Sequence, residues 1–333
     1  MKKTILGILI LLVISSCNEK QTTEFSLSGE VNGIENGIFL YLETPSDRKV
    51  IDSAKVENGS FIFNTKLSKA PLQVLLRTRR FSHYRFLWLE NKSMNFDATQ
   101  TDFRDAIVTG SDEENLSQIF RKETDSLSED EQLEGAKEFV NKYPNSIHSA
   151  YILSIYASTF GKDISESLFE QFSAENKNTE YGKQIAKYIE LNKNPKIGEE
   201  YVDFEMKDTN GETRKLSDTK GELILLEFWS ANCGVCREEN TNLVKTYEKY
   251  NPKGFEIFAV SIDSNKESWL RAIEEDKLTW LQVSDLKGIG NAASLIYGIN
   301  GVPDNFLIDK NGVIVGRNLR GEKLNEKLSE LLN

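Results

Sequence analysis

Histidine is nearly absent from the 333 residues, and His83 and His148 stand far apart, so a histidine-rich metal site or histidine-based hydrolase has little to be built from. Cysteine is scarce too, at three residues. No apolar run reaches the roughly 20 residues a helix needs to cross the ~30 Å core of a bilayer. With 39% hydrophobic and 28% charged residues, the chain is too polar for an integral membrane protein. Basic excess is also missing: 41 Lys and Arg face 52 Asp and Glu, a net charge of −11. That disfavours nucleic acid as a partner, because phosphate neutralisation supplies most of such affinity. The length suits two domains.

At the amino terminus Lys2 and Lys3 precede the apolar stretch Ile5 to Ile14, which has the length of a secretory h-region rather than of a span. Ile14-Ser15-Ser16-Cys17 then resembles the lipobox of bacterial lipoproteins. The resemblance implies a signal peptide over residues 1–16, lipid on Cys17, a polar tether over residues 17–24, and a lipoprotein of the cell envelope that faces the periplasm. Either membrane could hold the lipid. Ordinary cleavage nearby would instead leave Cys17 as a spare thiol, which in an oxidising compartment invites wrong pairing. With Cys17 used by the anchor, Cys233 and Cys236 are the remaining thiols, and no structural disulfide framework can be built. A chain this long has core enough to fold without one.

Three styles of sequence follow. Residues 25–111 alternate apolar and polar positions in short β-rich runs from Phe25 to Val31 through Ile107 to Thr109. Turn signals such as Asn32-Gly33, Thr44-Pro45-Ser46-Asp47 and the hairpin-like Glu57-Asn58-Gly59-Ser60 separate them. The pattern predicts an all-β domain, a sandwich or a barrel. Residues 112–194 place apolar side chains at helical spacing and read as a helical connector; Asp130, Asn145 or Ser146, and Ser165 are the expected N-caps, and Pro144 divides two helices. Residues 195–333 alternate strand-like and helix-like segments, which predicts a layered α/β domain with a hairpin at Lys310-Asn311-Gly312.

The chemistry concentrates in the last of these. The strand Leu223 to Trp229 runs into Ser230-Ala231-Asn232-Cys233-Gly234-Val235-Cys236, after which a helix begins. A Cys-x-x-Cys pair at such a junction is a redox motif: unpaired backbone N–H groups and the helix dipole favour a thiolate on the first sulfur. The dipole is worth roughly 0.3 to 2 kcal/mol, and ~1.4 kcal/mol is one pKa unit, enough to make Cys233 reactive near neutral pH. Cys236 is one helical turn away, within the separation a disulfide accepts. A static disulfide would use the same residues; half a zinc site lacks the second Cys pair or nearby His.

Two carboxylates compete for proton transfer to Cys236. Glu227 interrupts an apolar strand, where burial should raise its pKa. Glu239 shares a helix face with Cys236, Asn240 and Leu243. Elsewhere, Arg77, Arg79, Arg80 and Arg85 with Phe81 and Tyr84 suggest a basic aromatic patch or, more simply, a solvated loop, and Trp269 and Trp280 read as core or edge residues.

Taken together, the strand ending Glu227-Phe228-Trp229, the stretch Cys233-Gly234-Val235-Cys236-Arg237-Glu238-Glu239, and Tyr297-Gly298-Ile299-Asn300-Gly301-Val302-Pro303 with Asn305-Phe306-Leu307-Ile308-Asp309-Lys310-Asn311-Gly312 resemble the TlpA/ResA-type thioredoxin-like thiol-disulfide oxidoreductases. The β-rich segment also resembles the β-domain of unassigned function that precedes such domains in envelope lipoproteins. The resemblance implies a thioredoxin-like fold and a catalytic pair Cys233 and Cys236 that forms a redox-active disulfide, with no further cofactor and no metal. It implies a cis Pro303 facing the sulfurs, client contacts at Trp229, Val302 and Pro303, and proton-transfer roles for Glu227 and Glu239. The implied partners are extracytoplasmic protein thiols or disulfides, apocytochrome c among them, and a membrane electron-transfer protein as reductant. Net oxidation of clients, or a binding lipoprotein that uses the domain as scaffold, are the alternatives.

Three positions depart from that family's pattern: Val235 stands where Pro is usual, Asn232 where an aromatic precedes the first Cys, and Thr241 where a helix Pro is common. Val235 leaves one more backbone N–H near Cys233, which stabilises a thiolate and makes the disulfide more oxidising. Val235→Pro is therefore expected to lower the reduction potential, measured by equilibration against glutathione; an equal or higher potential would refute this.

Overall fold

The computed structural model describes residues 24–45 and 48–332. The proposed signal peptide over residues 1–16, Cys17, the tether apart from Glu24, and Ser46 and Asp47 of one expected turn lie outside the described residues. The chain divides into two units, one ending at Lys122 and the other beginning at Glu123.

Among its described residues the first unit contains eight strands: β1 (Ser26–Val31), β2 (Phe39–Glu43), β3 (Val50–Lys55), β4 (Ser60–Phe63), β5 (Leu72–Thr78), β6 (Tyr84–Leu89), β7 (Ser93–Ala98) and β8 (Ile107–Thr109), and most of the helix α1 (Asp112–Thr124) that follows them. They form two four-stranded sheets, β4-β1-β7-β8 and β3-β2-β5-β6. The period-2 alternation turns Leu27, Val31, Phe61, Phe63, Met94 and Phe96 from one sheet, and Leu40, Leu42, Val74, Leu76, Leu87 and Leu89 from the other, into a shared core. Of the two expected architectures, this is the sandwich. Gly29 is required where it stands, because a Cβ there would lie 2.1 Å from the Phe61 ring packed over it. Asn58 and Gly59 both take positive φ, 51° and 75°, as the Asn-Gly signal expects. Their turn nevertheless links strands of different sheets. The arginines do not make one patch: Arg85 is buried against Glu114, with Nη2 to Oε1 at 2.8 Å, and Arg77 pairs with Glu43 and stacks on Tyr41 and Phe81.

The second unit opens with α2 (Glu129–Lys142), α3 (Ile147–Phe160), α4 (Lys162–Glu170), α5 (Ala174–Asn178) and α6 (Glu180–Leu191). Pro144 falls between α2 and α3, and Ser146 caps α3 by accepting from the His148 and Ser149 N–H groups. Two expected caps are corrected. Ser128 begins α2 through a capping box with Glu131, leaving Asp130 inside the first turn. Ser165 lies within α4, buried, and donates to the Ala157 carbonyl at 3.0 Å, while Gly161 begins that helix with φ 82°.

These helices do more than space two domains. Asn192 Nδ2 donates to the Leu295 carbonyl at 2.8 Å, the Lys193 and Asn194 N–H groups both donate to Ile296 O, and Leu191 packs into the core beyond. That core belongs to a mixed sheet built from β11 (Leu223–Trp229), β12 (Phe255–Ser261), β13 (Leu281–Val283), β14 (Asp304–Asp309) and β15 (Ile314–Arg317), in the order β13-β12-β11-β14-β15. Before it the short hairpin β9 (Glu205–Lys207) and β10 (Thr213–Lys215), which the sequence pattern does not reveal, closes one edge of the core through Met206. Strand β11 pairs in parallel with β12 and antiparallel with β14. Helices α7 (Gly234–Tyr250), α8 (Lys266–Asp276) and α10 (Gly321–Leu332) contribute to the core on the face of Leu223, Leu225 and Trp229; α9 (Ala292–Tyr297) covers Leu226 and Phe228 on the other. This is the expected thioredoxin-like layering.

His148 sits in α3 between the rings of Phe139 and Tyr151, and burial pulls its pKa down to about 4. A neutral buried imidazole must be charged in acid, so stability present above pH 6.5 is lost as pH falls towards 4, by roughly 3 kcal/mol. Thermal melts of His148→Gln between pH 4 and 6.5 should show a flatter dependence on pH than wild type; equal slopes would exclude His148 as the cause.

Candidate functional site

Strand β11, apolar except for Glu227, is buried along both faces, as a central strand must be, and it leads to the start of α7. Cys233 is the N-cap of α7, with extended backbone angles, and its Sγ accepts the Cys236 N–H at 3.2 Å. That contact is the stabilisation a thiolate needs at a helix amino terminus. Cys233 and Cys236 are joined as a disulfide with Cα atoms 5.2 Å apart. Their exposures differ: Cys233 is half-buried and Cys236 only 1% exposed. An incoming group can therefore meet the first sulfur and not the second. Val235 beside them is 58% exposed.

The peptide bond between Val302 and Pro303 is cis, as expected, and the Val302 carbonyl oxygen lies 3.6 Å from Cys233 Sγ. A disulfide sulfur carries no proton, so this is a packing contact here; after reduction the thiol has an acceptor in reach. Trp229 differs from the expectation of a client contact. Its side chain is 1% exposed and its Nε1 donates to Gln282 Oε1 at 3.0 Å, so it anchors the strand end from within.

Both carboxylates are buried beside this junction. Glu227 is 2% exposed, and the alternation of β11 turns it to the face of Leu225 and Trp229, the face whose core includes Cys236. Its pKa is raised well above the usual carboxylate value by burial, opposed by the Asn305 side chain, raised further by the Glu239 charge, opposed by Arg320, and raised again by Asp304. One of its oxygens, Oε2, is buried with no hydrogen-bond partner among the described residues. Glu239, 8% exposed, is already engaged: Oε1 accepts the Gly321 N–H at 2.9 Å at the start of α10, and Oε2 accepts from Asn242 at 3.0 Å. Its immediate structural work is to cap α10 from another helix.

Sequence reasoning missed the residues that hold the loop before the disulfide. Asp263, just past β12, accepts from the Ser230 hydroxyl at 2.8 Å, from the Ala231 N–H at 2.9 Å and from the Ser261 hydroxyl at 2.7 Å. Arg237, read from sequence as part of a charged run, makes a fork to both Asp276 oxygens at 2.5 and 2.7 Å and reaches the Ala231 carbonyl at 3.3 Å. A polar residue at the end of a buried strand was the available signal for Asp263; nothing local marked Asp276.

Residues 197–317 match the model of the AhpC/TSA family, and residues 25–116 match a domain of unknown function, DUF4369. Over 145 residues the chain is 30% identical to the thiol-disulfide oxidoreductase ResA of Bacillus cereus, covering 44% of this chain and 82% of that protein. With ResA of Halalkalibacterium halodurans the identity is 31% over 139 residues, 41% of this chain and 77% of the relative. Among solved structures, the thioredoxin domain of a thiol-disulfide oxidoreductase from Bacteroides vulgatus is 36% identical, covers 42% of this chain and 99% of its own, and has a TM-score of 0.39. A thiol:disulfide interchange protein from Bacteroides sp. is 37% identical, with 41% and 91% covered and a TM-score of 0.38.

The buried Glu227 generates a prediction whose sign follows from linkage. A carboxyl whose folded pKa is raised holds its proton above the unfolded value of ~4.3, so stability falls as pH rises through that window, by up to ~1.4 kcal/mol per unit. Glu227→Gln removes the titration. Its melting temperature relative to wild type should rise as pH increases above about 4.3, and a constant difference between pH 4.5 and pH 8 would mean that Glu227 does not titrate in this range.

Proposed function

Because the chain belongs, through its carboxy-terminal domain, to the family of the ResA thiol-disulfide oxidoreductases, we propose that it works in the cell envelope by reducing or exchanging disulfides of extracytoplasmic proteins. The observation that carries this reading is the asymmetry of the sulfur pair: Cys233 is a half-buried helix cap receiving a backbone N–H, and Cys236 is sealed behind it.

In the reduced protein the Cys233 thiolate attacks one sulfur of a client disulfide. The client S–S bond breaks, its other sulfur leaves as a thiolate and takes a proton, and Cys233 is joined to the client in a mixed disulfide. Cys236 then gives its proton to a carboxylate, Glu227 or Glu239, and attacks Cys233 Sγ. The second client thiolate departs and the Cys233–Cys236 bond forms, so two electrons have passed to the client. A raised pKa suits Glu227 to this task, because a carboxylate that binds its proton more tightly than a free one is a stronger base towards a thiol. The Val302 backbone beside Cys233 offers an extended client segment strand-like contacts, a mode that tolerates many side chains.

Beyond the disulfide itself the reaction needs no cofactor. A membrane electron-transfer protein would restore the dithiol, and apocytochrome c thiols are one client class. The envelope location rests on the apolar stretch Ile5 to Ile14 and on Cys17 as lipid acceptor; among the described residues no helix is long and apolar enough to cross a membrane.

A Cys236→Ser variant should accumulate mixed disulfides with envelope proteins on a non-reducing gel after acid trapping, and Cys233→Ser should accumulate none. Absence of adducts in both would reject exchange and favour a scaffold role.

A further inference from the structure

The residues Asn318 to Gly321, which lead from β15 into α10, bond to Pro303, Asn305 and Glu239. Arg320 donates through its guanidinium to the carbonyl of Pro303, and to Asn318 Oδ1 at 2.6 Å. Asn305, opposite Glu227 in the register of β11 and β14, brackets the neighbouring Leu319: its Nδ2 donates to the Leu319 carbonyl at 2.8 Å, and the Leu319 N–H donates to its Oδ1 at 2.9 Å. Gly321 supplies the N–H held by Glu239. Arg320 Nε and Glu227 Oε2 are both buried without a hydrogen-bond partner among the described residues.

We propose that Arg320 is a positioning residue of the exchange reaction, which holds the Pro303 carbonyl, and with it the Val302 edge that meets the client, while placing a positive charge within range of the buried Glu227 carboxylate. The inference rests on the function proposed above. Its basis is the contact of Arg320 with the Pro303 carbonyl and the burial of Arg320 Nε and Glu227 Oε2 without hydrogen-bond partners among the described residues. A guanidinium is permanently charged and presents its donors in a rigid fork, so one group can grip a carbonyl and still act on a nearby carboxylate. The groups acting on Glu227 are Glu239 from α7, Asp304 and Asn305 from β14, and Arg320 from the last loop. Asp304 is itself paired with Arg317 at 2.8 Å. Arg320 thus brings a positive charge to bear on Glu227 and also touches the loop facing Cys233. Loop position and proton transfer would then share one support.

The two roles separate experimentally. Full-length wild type, Arg320→Lys and Arg320→Gln are assayed as reduced proteins against a disulfide-bonded peptide and against oxidised glutathione, across pH. Arg320→Gln is expected to raise KM for the peptide at least threefold more than for glutathione. It should also move the midpoint of the pH–rate profile upward, since an opposite charge close by favours the ionised carboxylate. Arg320→Lys keeps the charge and loses the fork, so it should raise peptide KM while leaving the midpoint in place. Wild-type KM and midpoint in Arg320→Gln would overturn the inference. Should Arg320→Gln fail to fold, Arg320→Lys decides alone, and an unchanged peptide KM overturns the positioning role. If the wild type reduces neither probe, the proposed function fails rather than this refinement of it.

Discussion

The site depends on one junction, where a central buried strand stops and a helix starts with a sulfur as its cap. A helix begins with backbone N–H groups that lack intrahelical partners, and something must meet them. In most helices an oxygen side chain does so; here Cys233 accepts the Cys236 N–H instead. The same arrangement lowers the energy of a negative charge on that sulfur and holds its partner one turn away. Structural demand and chemical reactivity are met by one contact, which is why the surroundings are so heavily braced.

That bracing is distributed over the domain. Asp263 grips Ser230 and Ala231 from the end of β12, and Arg237 ties α7 to Asp276 on α8 while touching the Ala231 carbonyl. Trp229 is locked from beneath by Gln282. A displacement of a few tenths of an ångström would matter, because the sulfur must lie in line with a client disulfide to react. Loops carry chemistry well only when rigid elements hold them.

Burying carboxylates beneath the disulfide works against stability. Desolvation of an ionised carboxylate costs several kcal/mol unless it is neutralised or hydrogen-bonded. The two acids resolve this differently. Glu239 takes the N–H of Gly321 and the Asn242 amide, while Glu227 retains an unpartnered oxygen and a raised pKa. The opposite face of the sheet is packed by Tyr297, Phe306 and Phe204 and braced by α6, whose end is stitched to α9.

Much of this could be read from the chain itself, because local signals there agree with the tertiary answer. Period-2 alternation located all eight strands of the sandwich, and the apolar run to Trp229, the Cys-x-x-Cys spacing and the Gly-Val-Pro segment identified the redox junction. The sequence also set Glu227 apart as a charge in an apolar strand. It could not say that Trp229 points inward, that Ser165 faces its own bundle, that Asn58 and Gly59 turn from one sheet to the other, or that the helical segment belongs with the domain after it. Nor could it bring Arg320 to Pro303, Asp263 to the loop before the disulfide, or Asp276 to Arg237. Periodicity reports which face of an element is buried, whereas which distant element covers that face is decided only when the sheet order and loop paths are set. Burial, register and the pairing of charges far apart in sequence are therefore properties of the folded chain.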